Sequence, residues 1–321
     1  MGAMMMRSRI ATDWRLRTRT LALGQRTLVM GVVNITPDSF SDGGLYFAPE
    51  AAVEHALQLL EEGADLLDLG AESTRPGSQT GGSAPAVSAD EEQARLLPVL
   101  EGVLKARPDA IISVDTYKAS TARAASKAGA EIVNDVSGLT WDADMAATCA
   151  ESGAGVILMH TRGTPAEWST QSQLAPDAVL DLVHSGLADS LSVALAAKVA
   201  AGSVVLDPGY GFGKRREENY ALLARQAELL PLGRPLLAGV SRKSFLGHRL
   251  AKRHADSDGV DAPREARDNA GLAAMTAAIL HGASIVRVHA VRPAVDAAQV
   301  ADAILDAQTE SSIQDTSARL A

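Results

Sequence analysis

From about Leu28 onward, the chain alternates short apolar runs with longer, alanine-rich amphipathic stretches. The apolar runs cover residues 28–34, 65–70, 110–115, 131–135, 155–160, 203–209, 235–241 and 284–289. The amphipathic stretches cover residues 49–62, 88–106, 118–128, 142–152, 176–200, 217–230, 264–281 and 293–307. Continuous apolar runs are typical of strands buried on both faces of a parallel sheet. Eight strand–helix units predict an α/β fold, the (β/α)8 TIM barrel, although a doubly wound open sheet alternates in the same way.

The repeating units occupy residues 28–307, which predicts a single barrel domain with a short extension at each end. Residues 1–27 form the N-terminal extension, in which 14–26 are expected to make a hairpin that closes the barrel bottom. The tail, residues 308–321, is rich in Ser, Thr and Gln and is expected to be disordered. A glycine follows five of the helical stretches, where a left-handed terminal residue favours this residue type. These glycines are Gly63, Gly129, Gly153, Gly202 and Gly282.

The amino-acid composition argues against several classes of protein. Hydrophobic residues make up 46% of the chain and aromatic residues only 3%, so the core is expected to be aliphatic. The net charge of −9 argues against nucleic acid or an anionic membrane as a partner. Cys149 is the single cysteine, which excludes an internal disulfide and fits a reducing cytoplasm. Because the sequence has no run of 18 apolar residues, no membrane span is expected.

Polar or ionisable side chains follow all eight predicted strands. They are Asn34, Glu72 with Thr74 and Arg75, Asp115, Asn134 with Asp135, His160, Asp207, Ser241 with Lys243, and Arg287 with His289. At the opposite strand ends only Asp65 and Glu131 are ionisable. Since a barrel brings its C-terminal strand ends to one mouth, this asymmetry predicts an active site there. The Gly-rich and Ser-rich segments 34–44 and 72–85 are expected to act as lids over that mouth.

Several common site motifs are absent from the sequence. It contains no HxH, HExxH or CxxC, which argues against a zinc enzyme. It has neither GxGxxG nor GxxxxGK[ST], so a Rossmann or phosphate-loop site has no support. The absence of GxSxG removes the serine nucleophile of the α/β-hydrolases.

Eight motifs at the strand ends resemble those of dihydropteroate synthases, in the same order. They are MGVVNITPDSFSDGG, DLGAESTRPG, SVDTYK, NDVSG, LMH, DPGYGFGK, GVSRKSFLG and RVH, spread from about Val29 to Val291. The resemblance implies a transferase of folate biosynthesis with a pterin-binding barrel. Its substrates would be 6-hydroxymethyl-7,8-dihydropterin diphosphate and p-aminobenzoate, and its products 7,8-dihydropteroate and diphosphate. It further implies magnesium as cofactor, dissociative displacement, a homodimer and inhibition by sulfonamides.

The resemblance also implies roles for individual residues. The pterin pocket would be lined by Asp115, Asn134, Met159, Asp207, Gly239 and Lys243. The p-aminobenzoate site would use Phe40, Thr74, Arg75, Pro76, Phe212, Lys243 and Ser244. The diphosphate would meet Asn34, Asp42, Arg287 and His289, with Asn34 also holding the metal. Catalysis would rest on Asp115, Asp207, Lys243 and Arg287.

Alternatives remain open at this stage. A methyltetrahydrofolate-dependent methyltransferase uses a similar barrel, and a non-catalytic pterin-binding paralogue would keep much of the pocket. Asp115 and Asp207 could instead cap the helices that follow them. The chain departs from the family pattern at Ala290, where an Asp usually follows RVH.

Overall fold

The computed structural model of the chain describes Arg9 and residues 11–36, 49–73, 87–251 and 262–320, with side chains as far as Gln308. Five of the predicted site residues lie outside the described residues. They are Phe40, Asp42, Thr74, Arg75 and Pro76.

Within the described residues, ten strands form a hairpin and a barrel. The hairpin pairs β1 (Thr12–Arg15) with β2 (Thr20–Leu23). The barrel strands are β3 (Leu28–Asn34), β4 (Leu66–Gly70), β5 (Ile112–Asp115), β6 (Ile132–Asp135), β7 (Gly155–Met159), β8 (Val204–Asp207), β9 (Leu236–Ala238) and β10 (Ala283–Val288). All eight pair in parallel, and β10 pairs with both β9 and β3, which closes the barrel. The TIM-barrel prediction is confirmed, and the open sheet is excluded.

Nine α-helices are assigned within the described residues. They are α1 (Pro49–Glu61), α2 (Ala89–Ala106), α3 (Ala119–Ala128), α4 (Met145–Ser152), α5 (Pro176–Ala196), α6 (Arg216–Ala224), α7 (Ser244–Ala251), α8 (Arg264–Leu280) and α9 (Val291–Leu320). The sequence did not predict α7, whose two turns are too short to show a clear apolar period. The predicted strand 235–241 ends early at Ala238, and the chain turns at Arg242, which has a positive φ of 57°.

Two helix ends differ from their predictions. Gly63, Gly129, Gly153 and Gly282 have positive φ as expected, whereas the left-handed residue after α5 is Lys198, with φ 71°. That helix ends at Ala196, a turn earlier than predicted, and Gly202 lies in the 3-10 turn Ala201–Ser203. The tail expected to be disordered instead continues α9 to Leu320. The physical reason is that no glycine or proline follows Pro293 to stop the helix.

One helix bears on the membrane question. Among the described residues, α5 alone is long and apolar enough to cross a membrane by length and composition. In the fold it is one of the outer helices of the barrel, with Val179, Val183 and Leu187 fully buried.

The barrel bottom is filled by aliphatic residues and closed by the hairpin, as the sequence predicted. Trp14, Leu16 and Leu23 pack with a ring of inward-facing strand residues. The ring includes Met30, Leu66, Ile132, Ile157, Val205, Leu237 and Ile285. The Trp14 indole N–H donates to the Ser203 carbonyl at 2.8 Å, so its one polar atom is satisfied inside the core. The apolar bottom therefore leaves the polar strand ends at the opposite mouth.

Replacing Trp14 with Ala should lower the free energy of unfolding by about 3–5 kcal/mol, since it empties the plug of the barrel. Asp13→Ala, which changes an exposed neighbour on the same strand, is the matched control and should change stability by less than about 0.5 kcal/mol. Denaturant unfolding followed by circular dichroism measures both. Equal stabilities of the two variants would show that the hairpin is not part of the cooperative core.

Candidate active site

A cavity of about 550 Å³ opens at the C-terminal mouth of the barrel. Its lining brings together eleven of the sequence-predicted site residues. They are Asn34, Asp115, Asn134, Met159, Asp207, Phe212, Gly239, Lys243, Ser244, Arg287 and His289. They come from separate strand ends spread along the chain, so closure of the barrel is what makes them neighbours.

The floor of the cavity is organised around Arg287 on β10. Its Nε donates to Asp68 Oδ2 at 2.5 Å, and its Nη2 donates to Asp115 Oδ2 at 2.7 Å. Asn134 Nδ2 donates to the same Asp68 oxygen at 3.1 Å. In the strand register Asp115 pairs with both Gly70 and Asn134, so these groups stand side by side across β4, β5 and β6.

This floor carries an excess of negative charge. Burial raises the pKa of Asp115 to about 7, with Arg287 opposing the rise and Asp68 adding to it. Burial disfavours the charged form of Arg287, but the two carboxylates outweigh it and raise its pKa above the ordinary value. One guanidinium thus serves two carboxylates, and a ligand edge rich in N–H donors would balance the remaining charge.

Asp207, at the end of β8, is a further carboxylate that lines the cavity. Its Oδ1 accepts the N–H of Gly209 at 2.7 Å, and burial raises its pKa. A side chain at Gly239 would place its Cβ 3.7 Å from Asp207 Oδ2, so glycine there leaves the carboxylate open to the cavity. The hydrogen bond to Gly209 shows that Asp207 shapes its own loop instead of capping a helix.

One wall of the cavity joins a cation to aromatic rings. Lys243 Nζ lies 3.9 Å from the centroid of the Phe212 ring. The edge of Trp168 packs against Phe212 with 5.2 Å between centroids. Ser244 begins α7 immediately after Lys243, so the hydroxyl and the ammonium are presented at the same corner.

The rim adds further polar groups. His289 Nδ1 lies 3.1 Å from Ser241 Oγ, which fixes the ring at the end of β10. Arg242 donates two hydrogen bonds to Asp268, at 2.6 Å and 3.1 Å. Arg264 and Arg267, in the first turns of α8, also line the cavity. These three arginines make the mouth cationic and suit it to anionic substrates.

Sequence reasoning missed Asp68, which is fully buried beneath Arg287. The signal was available, because Asp68 is the one charged residue in the strand LLDLG and shares the inward face with Leu66. The rim arginines of α8 were missed because they follow a helix start and not a strand end.

Asp135, another polar residue at a strand end, is structural. Asp135 is buried and accepts the N–H groups of Ser137 and Leu139 at 2.8 Å each. Asp115 does not cap the helix after it, since the first N–H of α3, at Ala119, is accepted by Asp142. The helix-cap alternative for Asp115 is therefore wrong. Ala290 does not contribute to the described lining of the cavity.

A magnesium site was expected through Asn34. Within the described residues no group of three or more His, Cys, Asp or Glu side chains is placed to hold a metal. Asn34 lines the cavity and offers one amide oxygen, the hard ligand type that magnesium accepts. Because magnesium commonly takes most of its ligands from water and substrate phosphates, a single amide oxygen at this rim fits the ion.

Comparisons with known proteins agree with this geometry. The model of the pterin binding enzyme family matches residues 30–289. The dihydropteroate synthase of Mycobacterium leprae is 43% identical over 87% of this chain and 94% of its own length. The chain belongs to the dihydropteroate synthase family. Membership accounts for the order of the eight motifs and for their meeting at one mouth.

Solved structures of the family share the fold. The Xanthomonas albilineans dihydropteroate synthase with 4-aminobenzoic acid is 40% identical with a TM-score of 0.79, and covers 92% of this chain and 99% of its own. The Yersinia pestis enzyme in a sulfonamide drug complex is 37% identical with a TM-score of 0.80, and covers 92% and 100%. The predicted barrel and the predicted resemblance of the chain to dihydropteroate synthases are both confirmed.

Asp68→Asn should lower kcat/KM by about 10²-fold, or about 2.7 kcal/mol of transition-state stabilisation. The neutral amide cannot hold the Arg287 guanidinium as the carboxylate does, so that cation and Asn134 lose their common anchor. Asp65→Asn is the control, since it removes the same charge next to the other end of β4, where Asp65 pairs with Arg26. Steady-state kinetics of both folded variants would decide, and equal activities would remove Asp68 from the site.

Proposed function

We propose that the chain condenses 6-hydroxymethyl-7,8-dihydropterin diphosphate with p-aminobenzoate, giving 7,8-dihydropteroate and diphosphate. The observation that carries this proposal is one cavity with a carboxylate floor and, beside it, the Lys243–Phe212 wall. A pterin and a small aromatic amine need these two environments next to each other. The relatives named above, which are dihydropteroate synthases, support the same transferase reaction.

The floor suits a pterin ring. A pterin presents a 2-amino group next to a ring N–H, and a carboxylate can accept such a pair of donors in parallel. Asp207 and Asp115 would accept from the ring, while Asn134 and Lys243 address its carbonyl and ring nitrogens. Met159 adds apolar surface to the pocket, and Gly239 leaves it open because it has no side chain. The same carboxylates favour positive charge that develops on the ring as the C–O bond breaks.

The leaving diphosphate requires cations and N–H donors. His289 and Arg287 line the same cavity and would face it, with Asp42 assigned there by resemblance alone. Asn34 would hold a magnesium ion against the phosphate oxygens, and the ion would supply neutralising charge for the leaving group. Departure of diphosphate before attack, a dissociative displacement, is the order that this charge distribution favours.

Attack by p-aminobenzoate then needs little acid–base catalysis. The aniline nitrogen is neutral at physiological pH, so it can attack the exocyclic carbon without a strong base. Phe212 would flank the ring, and Lys243 and Ser244 would hold its carboxylate, with Phe40, Thr74, Arg75 and Pro76 assigned to the same site by resemblance. A sulfonamide offers the same aniline with a sulfonyl group in place of the carboxylate. The Yersinia pestis relative in its sulfonamide complex supports this substitution.

The two alternative functions are less well supported. A methyltetrahydrofolate-dependent methyltransferase would not need the Lys243–Ser244 corner, which is present here. A non-catalytic paralogue is expected to lose cavity residues, whereas every predicted one within the described residues lines the cavity.

We also propose that the enzyme acts as a cytoplasmic homodimer. Val300 and Ile304 lie one turn apart on α9 and are 61% and 41% exposed, an apolar surface that a second copy would cover. Sedimentation velocity tests this proposal, and a monomeric mass at micromolar concentration would contradict it.

The reaction itself is tested by incubating the protein with both substrates and magnesium and measuring dihydropteroate. Lys243→Ala should lower kcat/KM by about 10²-fold or more, because its ammonium is assigned to both substrates. Lys127→Ala, which removes an exposed lysine of α3, is the control and should keep wild-type activity. A folded Lys243→Ala enzyme with normal activity would contradict the assignment.

Asn34→Ala should raise the magnesium concentration that gives half-maximal activity by about tenfold, since it removes the one protein oxygen assigned to the ion. Binding of a pterin without diphosphate should not change. The measurements are a magnesium titration of the rate and calorimetry with the pterin, and Asn269→Ala on the exposed face of α8 is the control. An unchanged magnesium dependence would remove Asn34 from the metal site.

A further inference from the structure

Lys214 is a buried lysine next to the cavity but not in its described lining. The residue is 6% exposed, at the end of the DPGYGFGK motif. Its Nζ donates to three main-chain carbonyls, those of Gly209 at 2.8 Å, His160 at 3.0 Å and Phe212 at 3.3 Å. A lysine is rarely buried to this extent without a partner that compensates its charge. The three carbonyls are that partner.

The three acceptors match the three N–H donors of an ammonium group. They belong to two different loops, because His160 follows β7 whereas Gly209 and Phe212 follow β8. A neutral amine has two donors and could bond to only two of the three carbonyls at once. The charged lysine therefore ties the β7 loop to the β8 loop.

The backbones of these loops approach each other too closely for ordinary side chains. A Cβ at Gly209 would lie 1.9 Å from the His160 carbonyl oxygen, and one at Gly213 would lie 2.3 Å from that of Arg162. Both glycines have positive φ, 68° and 69°. The Arg162 N–H also donates to the Phe212 carbonyl at 3.3 Å. The glycines thus allow the β7 and β8 loops to come this close, and Lys214 then holds the loops together.

Helix α6 holds the β8 loop from the other side. Asn219 Oδ1 accepts the N–H of Gly211 at 2.7 Å, and its Nδ2 donates to the Lys214 carbonyl at 3.1 Å. Between these two anchors the side chain of Phe212 reaches the cavity, where it meets Lys243 and Trp168. The position of the Phe212 ring is therefore determined by the main chain that Lys214 and Asn219 hold.

We propose that Lys214 is a positioning residue for the aminobenzoate wall, which places the Phe212 ring against Lys243 without touching substrate. The proposal rests on the proposed function, in which Phe212 and Lys243 flank p-aminobenzoate. It predicts a selective effect, because Phe212 is assigned to the aminobenzoate alone. Of the pterin residues only Met159 and Asp207 end the strands that carry these loops, whereas Asp68, Asp115 and Arg287 stand on other strands. Loss of the ammonium should weaken the aromatic substrate much more than the pterin.

The charges around Lys214 make the effect depend on pH. Burial lowers the pKa of Lys214 to about 7, Asp207 and Glu218 oppose this shift, and Lys243 and Arg162 add to it. Burial also holds the pKa of His160 well below its ordinary value, so that imidazole stays neutral around pH 7. Because the lysine is charged below its folded pKa, all three hydrogen bonds between Lys214 and the two loops form at lower pH. They weaken as the pH rises through about 7.

The experiment compares Lys214→Met with Lys105→Met, an exposed lysine in the last turn of α2. Each full-length variant is checked for folding, and KM for both substrates and kcat are measured from pH 6 to pH 8. We expect Lys214→Met to raise KM for p-aminobenzoate about tenfold and to change KM for the pterin diphosphate less than about threefold. The wild type and Lys105→Met should show a rise in KM for p-aminobenzoate above about pH 7, which Lys214→Met lacks.

Equal changes for both substrates, or an unchanged KM for p-aminobenzoate in folded Lys214→Met, would overturn the proposal. If that variant does not fold, Lys214→Gln takes its place, because its amide keeps two donors, and the same two results decide. The wild type and Lys105→Met must first form dihydropteroate. Their failure would contradict the proposed function, whereas a selective result in active controls concerns Lys214 alone.

Discussion

The guanidinium of Arg287 lies between Asp68 and Asp115 inside a closed barrel, and the arrangement of the cavity depends on this contact. Buried charges are costly unless they are paired with good geometry, and removal of one partner leaves the others uncompensated. Here the partners stand on β10, β4 and β5, so the ion pairs cross the barrel interior and join distant parts of the chain. The arrangement exists only when the barrel is closed. Charge at the floor is therefore placed by the fold before any substrate arrives.

This charge lies at the C-terminal ends of the strands, and the apolar core of the barrel lies at their N-terminal ends. Leu66 packs toward the hairpin side, and Asp68, two residues later on the same inward face, holds Arg287, which lines the cavity. The hairpin closes the lower end with Trp14, so the polar groups are accessible from one side only. A parallel barrel makes this division at all eight strands at once. That is why a chain with few aromatic residues and a net negative charge can still present a cationic rim around a negative floor.

Much of this arrangement could be predicted from sequence, because strand period, helix caps and strand-end polarity are local signals. The eight strands and the convergence of Asp115, Asp207, Lys243 and Arg287 followed from them. The end of α5 could not be predicted, since Lys198 takes the left-handed conformation where Gly202 was expected to. The partners of buried charges were also missed. Which carbonyls surround Lys214, or which carboxylates share Arg287, depends on contacts between segments far apart in sequence.

Two kinds of anchor thus hold the two halves of the cavity. The floor is held by ion pairs between side chains of the strands, which are rigid elements with little freedom to adjust. The Phe212 wall is carried by a loop, whose glycines bring its main chain within reach of Lys214. A loop fixed through its carbonyls keeps its side chains available for contact with a ligand. A recognition surface for a flat aromatic substrate can therefore be built on a loop without the entropic cost of ordering that loop at each binding event.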